Sequence, residues 1–464
     1  MKKLFIFAAS SLLMLASCSE SNDFVNNVAQ DSPIAFSAYN GNGTRAGYAG
    51  DISSTTLQTT GFGVFAYNTG ASDYGATGYS TMATTEETPN WAPNFMWNQQ
   101  VSYSSGWVYT PLKYWPNGVD TDGASQATVQ KLSFFAYAPY VASGSGETGI
   151  TALSANNVNG DPKVTYALSG SGNDVDLLWG TTSTNGATVG DVAQAGVGSD
   201  LKVSEVSVAN LNENLTKMNT SGKVGFNFKH ALAKIKDVQV KVDPDNVSIE
   251  QDANERPLTK ITVSNITITS TNYTRTAVSS GSEPYKSTKG GVFNLATGIW
   301  NLTEADAAQS STEQITPTGD SGAHNVLNAN MIDPETVDVA NLFGTTTPSV
   351  TTGITGVTTE YVTAYSSTNR RPLMLMPGTY PRFTVAITYT VRTEDANLAA
   401  GYSETTQTIT KTVDFASPVL LNKQYTLKLS LGLTTIKVDA EVAEWVADGE
   451  QVITLPVNVN PVEP

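Results

Sequence analysis

The sequence predicts an all-β protein in which two antiparallel β-sandwich domains follow one another in tandem, with few short helices. Hydrophobic residues make up 40% of the 464 residues and charged residues 15%, a composition too apolar for a disordered chain. Many short runs alternate apolar and polar residues with period two, which buries one face of a strand in a core. Clusters of Gly, Ser, Thr, Asn and Asp separate these runs and supply turns. The length leaves room for two sandwiches.

The predicted strands follow one another along most of the chain. In order they are GFGVFAYN (61–68), KLSFFAYAP (131–139), KVTYAL (163–168), KVGFNFKH (223–230), KIKDVQVKV (234–242), ITVSNITITS (261–270), RFTVAITYTV (382–391), QYTLKLSL (424–431) and IKVDAEVAEW (436–445). In the seventh run Phe383, Val385 and Ile387 share one face. Helix signals are few, although HALAKI (230–235) could form one helical turn between two strands.

A segment of small, polar and weakly patterned sequence at 180–221 marks the expected domain boundary. We therefore expect the N-terminal sandwich to comprise residues 46–215 and the C-terminal sandwich residues 216–450. The polar stretch DPDNVSIEQDANERP (243–257) is an alternative boundary, because it also carries turn residues and few apolar ones.

The N-terminus, MKKLFIFAASSLLMLASC, has the pattern of an export signal. Two lysines precede an apolar run at 4–15 that is too short to span a membrane as a stable helix. The following Leu-Ala-Ser-Cys resembles the bacterial lipobox, which implies that residues 1–17 are a signal peptide and that Cys18 carries lipid. An ordinary secretory peptide is the alternative, but Cys18 is the chain's single cysteine and lies at this position. We expect a surface-exposed lipoprotein precursor at the outer membrane, held durably by several acyl chains.

The charged and metal-binding residues argue against nucleic-acid binding, metal binding and catalysis. The net charge is −16, and no cluster of Lys or Arg could neutralise phosphates, so no nucleic-acid partner is expected. The two histidines, His230 and His324, are far apart in sequence, so neither a metal site nor a cofactor is predicted. His230 lies among apolar residues and is predicted to be structural. We predict no catalytic residues and no enzyme activity.

Aromatic residues are concentrated in one region. They are Trp91, Trp97, Trp107 and Trp115, with Tyr103, Tyr109 and Tyr114. Exposed rings on a β-sandwich could stack on sugars, but large aromatics also fill sandwich cores, which is the interpretation we favour here.

Several stretches taken together resemble the fimbrillin family of Bacteroidetes, the Mfa-like branch of the type V pilins. These are GWVYTPLKYWP (106–116), KLSFFAYAPY (131–140), DLLWG (176–180), VGFNFKHALAKI (224–235), GGVFNLATGIW (290–300), PLMLMPG (372–378), NKQYTLKLSLGL (422–433) and KVDAEVAEWVADGE (437–450). They run in order along nearly the whole chain. The resemblance implies two transthyretin-like sandwiches in tandem and a fimbrial subunit that is exported as a lipoprotein.

The resemblance also implies proteolytic processing and polymerisation. In that family an Arg-specific surface protease cuts after an arginine near the N-terminus, which removes the first strand and the lipid. Here the matching bond joins Arg45 to Ala46, and residues 18–45 would be the propeptide. Arg45 is the only Lys or Arg between Lys3 and Lys113, and it lies in the flexible sequence GNGTRAGY, which gives a protease a single accessible bond.

Both ends of the chain carry a segment with a period-two apolar face. The first, before the cut, places Ile34, Phe36 and Ala38 on one face. The second is the expected donor strand at 451–464, where Ile453, Leu455, Val457 and Val459 share a face. Either could complete a sheet that lacks one strand, so a neighbouring copy could supply the second in place of the first. Pro456 conflicts with this register, because proline cannot donate a hydrogen bond to a sheet.

Three functions therefore compete. The first is a shaft subunit that polymerises with other fimbrial subunits, as a homopolymer, and supports adhesion. The second is a tip or accessory adhesin that binds a host or bacterial glycan or protein. The third is a glycan-binding surface lipoprotein that is never processed.

Overall fold

The computed structural model describes sixteen segments of the chain. They are residues 33–39, 52–76, 92–116, 130–142, 149–168, 174–182, 211–220, 222–242, 259–274, 286–305, 310–315, 362–366, 373–415, 419–431, 436–444 and 452–453. Within these segments nearly all regular structure is β-strand and two short helices accompany it, so the all-β prediction is confirmed. The assignment of transthyretin-like sandwiches in tandem remains a prediction.

The strands and helices of the first half of the chain precede residue 231. They are β1 (Ala35–Tyr39), α1 (Ser54–Thr60), β2 (Phe62–Gly70), β3 (Met96–Tyr103), β4 (Trp107–Val108), β5 (Lys131–Ala138), β6 (Ile150–Leu153), β7 (Lys163–Ala167), β8 (Leu178–Thr181), β9 (Asn212–Leu215), α2 (Lys217–Thr220) and β10 (Lys223–His230). Ser53 caps α1 by accepting a hydrogen bond from the Thr56 amide.

Among the described residues, the second half of the chain contains strands and no helix. They are β11 (Ala233–Val242), β12 (Thr259–Thr274), β13 (Lys286–Asn294), β14 (Ile299–Ala305), β15 (Ser310–Ile315), β16 (Val362–Ser366), β17 (Leu373–Leu375), β18 (Tyr380–Glu394), β19 (Tyr402–Asp414), β20 (Lys423–Leu431), β21 (Ile436–Glu444) and β22 (Val452–Ile453).

Three sheets contain these strands. The first has the order β1-β10-β8-β5-β2-β3-β4, with β9 beside β5. The second has the order β16-β11-β20-β21-β22, with β17 beside β11. The third has the order β19-β18-β12-β13-β7-β6, with β14 beside β13 and β15 beside β12. Most neighbours are antiparallel, but β1 runs parallel to β10 and β11 runs parallel to β20.

The central strands of the first sheet, β2, β5 and β8, are buried on both faces, which explains their unbroken apolar runs. In β5, Leu132, Phe134 and Ala136 face a core that also contains α1 and β1, whereas Phe135 and Tyr137 face a second core shared with β7 and β13. A third core lies between the second and third sheets. The third sheet therefore contributes to two cores: β7 and β13 line the second, and β12 and β18 line the third.

Strand pairing crosses the predicted domain boundary at 215/216 in both directions. Before it in sequence, β7 pairs with β13 of the later half. After it, β10 still belongs to the first sheet. The extents 46–215 and 216–450 therefore remain a prediction. No single position in the sequence places all strands of each sheet on one side of it.

The expected helical turn in HALAKI does not form. Ala231 and Leu232 are fully buried in the second core, and β11 begins directly after them. The Ala231 amide donates to Leu177 O over 2.7 Å, and Ala231 O accepts from Trp300 Nε1 over 2.8 Å. Because distant partners satisfy this backbone, the chain bends here and passes from the first sheet to the second without a helical turn.

Candidate functional site: the groove that holds the first strand

The first strand, β1, lies at the edge of the first sheet. Its strand partner is β10, with Ala35 opposite Lys223 and Tyr39 opposite Asn227. The Ala35 amide donates to Gly222 O over 3.2 Å. Because N–H groups alternate sides along an extended strand, the amides of Ser37 and Tyr39 also face β10. The segment is thus attached to the sheet along one edge.

The side chains at 33–36 alternate between exposed and buried. Ile34 and Phe36 are buried, with 1% and 4% of their surface exposed, and Ala38 is half-buried. Pro33 and Ala35 point outward and are exposed. Ile34 and Phe36 are thus buried on one face of the strand, whereas Ser37 and Ala38 are both half-buried. The displacement of this face on processing remains a prediction.

Phe36 fills an aromatic pocket in the core. The centre of its ring lies 5.2 to 6.3 Å from those of four other rings, those of Phe62, Tyr109, Phe134 and Phe226. Three of the contacts are edge-to-face and that with Phe226 is stacked, both favourable geometries for aromatic pairs. Phe36 is consequently the main anchor of β1.

The segment after β4 holds the other edge of β1. The Ile34 amide donates to Lys113 O over 2.8 Å, and Pro33 forms a bridge with Tyr114. The buried Tyr109 hydroxyl lies 2.9 Å from Ile34 O, 3.1 Å from Lys113 O, and 3.2 Å from the Lys113 amide, from which it accepts. Burial raises the pKa of the Tyr109 phenol, although its hydrogen bond to Lys113 opposes the shift. The hydroxyl therefore keeps the proton it donates.

Together these contacts define a groove, the space between β10 and residues 109–115 that β1 fills. Removing β1 would expose the rings around Phe36 and would free the edge of β10, where Gly222 O would keep only its hydrogen bond from Trp115 Nε1. An apolar groove beside an unpaired strand edge is a template for adding another strand. Sequence reasoning did not identify Tyr109 or Gly222 as holding β1, because they lie about 75 and 190 residues away along the chain.

The sequence-predicted processing and lipidation sites lie outside the described residues. Cys18 precedes Pro33, where the description begins, and Arg45 and Ala46 lie between Tyr39 and Ile52. The bond after Arg45 is thus in the connection between β1 and α1. A cut there would leave β1 without a covalent link to the sheet it completes.

Of the predicted donor strand, only the start is described. Ile453 in β22 pairs with Val442 in β21, and Val452 pairs with Ala443. Leu455, Val457 and Val459 lie outside the described residues. The paired part is two residues long and lies at the edge of the second sheet.

The other candidate residues have structural surroundings. His230 is buried, and its Nδ1 lies 2.5 Å from Asp176 Oδ2. Trp115 and Tyr109 are in the core and Trp107 packs against it, as expected, but Tyr103 and Tyr114 are 41% and 49% exposed. Trp91 and His324 are not among the described residues. In the described segments, no group of three or more His, Cys, Asp or Glu could hold a metal, and no helix is long and apolar enough to cross a membrane.

Comparison with known proteins gives a curated relative and a solved structure with a similar fold. No family model matches the chain. The curated relative is the fimbrium subunit Fim1C of Phocaeicola vulgatus, which is 28% identical over 233 residues. This match covers 50% of the present chain and 49% of that protein, so it spans about half the length of the relative.

A solved fimbrial protein from Bacteroides vulgatus matches 89% of this chain and 99% of its own, with a TM-score of 0.52 and 19% identity, and it shows the shared fold. The chain is therefore a relative of a Bacteroidetes fimbrium subunit, and the resemblance to that group seen in its sequence is confirmed.

Proposed function

We propose that the chain is a structural subunit of a surface fimbrium that polymerises by exchange of strands between copies. The observation that carries this proposal is the placement of β1. It is an edge strand that contributes an anchor, Phe36, to the core, and it is joined to the rest of the protein through the segment that contains Arg45. A single cut can then convert an internal strand into a separable one.

In the proposed sequence, the precursor reaches the outer membrane as a lipoprotein anchored at Cys18. An Arg-specific surface protease cuts between Arg45 and Ala46, and β1 leaves with the lipid. The end of the C-terminal segment of another copy, beyond β22, then fills the groove, and head-to-tail repetition of this contact gives a filament. Adhesion to a host or bacterial receptor is the expected role of the fibre.

The processing step is tested with the variant Arg45→Ala, and Thr44→Ala is the matched control because it changes the neighbouring residue but keeps the arginine. We expect Arg45→Ala to remain on the membrane as lipid-bearing monomers, while Thr44→Ala forms fibres like the unmodified protein. N-terminal sequencing of sheared fibres should give Ala46. Normal fibres from Arg45→Ala would contradict the processing step. An unprocessed, acylated Cys18 in the unmodified protein would favour a resident glycan-binding lipoprotein.

A tip or accessory adhesin is the second candidate. It is favoured by a group of exposed apolar side chains near the β3–β4 hairpin, namely Tyr103, Val108, Leu112 and Tyr114, which are 41 to 51% exposed. Deleting residues 451–464 separates the two roles. A shaft subunit should lose the ability to bind the next subunit, whereas a capping subunit should still be incorporated once per fibre.

A further inference from the structure

We propose a specific register for the exchanged strand: the C-terminal tail of a neighbouring copy enters the groove parallel to β10, with Pro456 in the place of Pro33. Val457 then replaces Ile34, and Val459 replaces Phe36. This inference rests on the proposed strand exchange and states how the tail is recognised. The register follows from two observations. The first is which backbone amides of β1 donate hydrogen bonds to β10, and the second is where in the tail the two prolines lie.

The hydrogen bonds of β1 divide its positions into two classes. Outward-facing residues direct their amides to β10, as the bond from Ala35 to Gly222 O shows. Inward-facing residues direct theirs to the opposite edge, as the bond from Ile34 to Lys113 O shows. A proline at an outward position after the first bond would therefore remove a hydrogen bond to β10. The exception is position 33, because Pro33 already occupies it without such a bond.

The tail contains two prolines, and only some registers tolerate both. Its apolar residues must face inward, so Pro456 falls at an outward position. If Pro456 were at position 35, the bond to Gly222 O would be lost. At position 33 it costs no bond to β10, and Pro461 then falls at inward position 38, whose amide points away from β10. This register therefore accommodates both prolines.

The same register preserves the remaining contacts of β1. The amide of Asn458 takes over the bond from Ala35 to Gly222 O. The amide of Val457 takes over the bond to Lys113 O, and its carbonyl replaces Ile34 O as the partner of the Tyr109 hydroxyl. The two segments also share the pattern proline, β-branched residue, small or polar residue, apolar residue: PIAF at 33–36 and PVNV at 456–459.

The register has a consequence for the joint between subunits. Only Thr454 and Leu455 lie between the described end of β22 at Ile453 and the residue that enters the groove. The three steps along the chain from Ile453 to Pro456 span at most about 10–11 Å when fully extended. With β22 held against β21, adjacent subunits must therefore lie close together, which gives a stiff fibre.

Disulfide trapping tests the register. The mature chain would have no cysteine once the segment with Cys18 is removed, so engineered pairs are unambiguous. One copy carries a cysteine in the tail and the other carries a cysteine beside the groove, both as processed proteins. Because Ala35 lies opposite Lys223, we expect Asn458→Cys and Lys223→Cys to form a covalent dimer under mild oxidation. Strand neighbours lie within the Cα separation that a disulfide allows.

Two control pairs report the alternatives. Asn460→Cys with Lys223→Cys would crosslink if the tail shifted by two residues, and Asn460→Cys with Tyr114→Cys would crosslink if the tail entered in the reverse direction. We expect neither to exceed about one-tenth of the yield of the first pair. Fibres in which a control pair crosslinks and the first pair does not would overturn the register while leaving strand exchange intact. Absence of both fibres and crosslinks would instead reject the proposed function.

The occupant of the aromatic pocket gives a second, independent readout. Valine is smaller than the phenylalanine it would replace, so the pocket around position 36 would be incompletely filled. We expect Val459→Phe to slow the loss of subunits from fibres in denaturant by about tenfold, with Asn458→Ser as the outward-facing control that changes little. Equal rates for Val459→Phe and the unmodified fibre would show that Val459 does not enter the pocket.

Discussion

The variant Phe36→Ala should destabilise the precursor strongly and the processed fibre hardly at all. Phe36 is 96% buried and packs against four aromatic rings. Truncating such a phenylalanine typically costs about 3–5 kcal/mol, because apolar contacts are lost and a cavity remains. If β1 leaves on processing, this loss falls on the precursor alone.

The assay is chemical denaturation of the uncleaved precursor, followed by tryptophan fluorescence because Trp115 lies in the same core and Trp107 packs against it. The midpoint should fall for Phe36→Ala, and Ala35→Ser, on the exposed face of the same strand, should change the stability by less than about 0.5 kcal/mol. Fibres purified from both variants should dissociate like the unmodified fibres. A loss below about 1 kcal/mol in the Phe36→Ala precursor would refute the docking of β1, and an equal loss in the fibre would show that β1 is retained.

Three further results follow from the structure. Tyr109→Phe removes the hydroxyl that contacts Ile34 O and Lys113, so β1 should be held less tightly by about 1–3 kcal/mol, measurable as faster amide exchange at 34–38; unchanged exchange would contradict the role of this hydroxyl. Burial, reinforced by Asp161, raises the pKa of Glu213 to about 8; the folded protein therefore holds a proton that the unfolded chain releases near 4.5, and stability should fall as the pH rises between these values. Glu213→Gln should flatten this dependence in denaturation at pH 5 and pH 8.5, and an unchanged slope would count against it. Inserting six Gly/Ser residues between Thr454 and Leu455 should leave polymerisation intact but shorten the persistence length of fibres in electron micrographs, and unchanged stiffness would argue against the short joint.

The strand content could be predicted from sequence because burial imposes a local pattern. The runs GFGVFAYN and RFTVAITYTV correspond to β2 and β18, since each buries at least one complete face. By contrast, β19 was not predicted, although it is 13 residues long. Most of its residues are exposed or half-buried on both faces, so its threonines carry no alternation of apolar and polar types.

The candidate site could be predicted only in part, because its contacts are distant in sequence. The inward face of β1 follows from its own alternation, and Ile34 and Phe36 are buried in the structure. Its parallel pairing with β10, nearly 190 residues away, leaves no local signal. Nor does the contact of Tyr109 with Ile34 O, which depends on how the segment after β4 folds back across the sheet.

The account depends most on which segment lies beside β10 in the assembled fibre. A cryo-electron microscopy reconstruction of sheared fibres identifies that segment directly from its side chains. We expect density for the tail of the adjacent subunit from Pro456 onward, in contact with Tyr109 and Gly222, and none for residues 33–39. Density for Phe36 in its own aromatic pocket would contradict strand exchange.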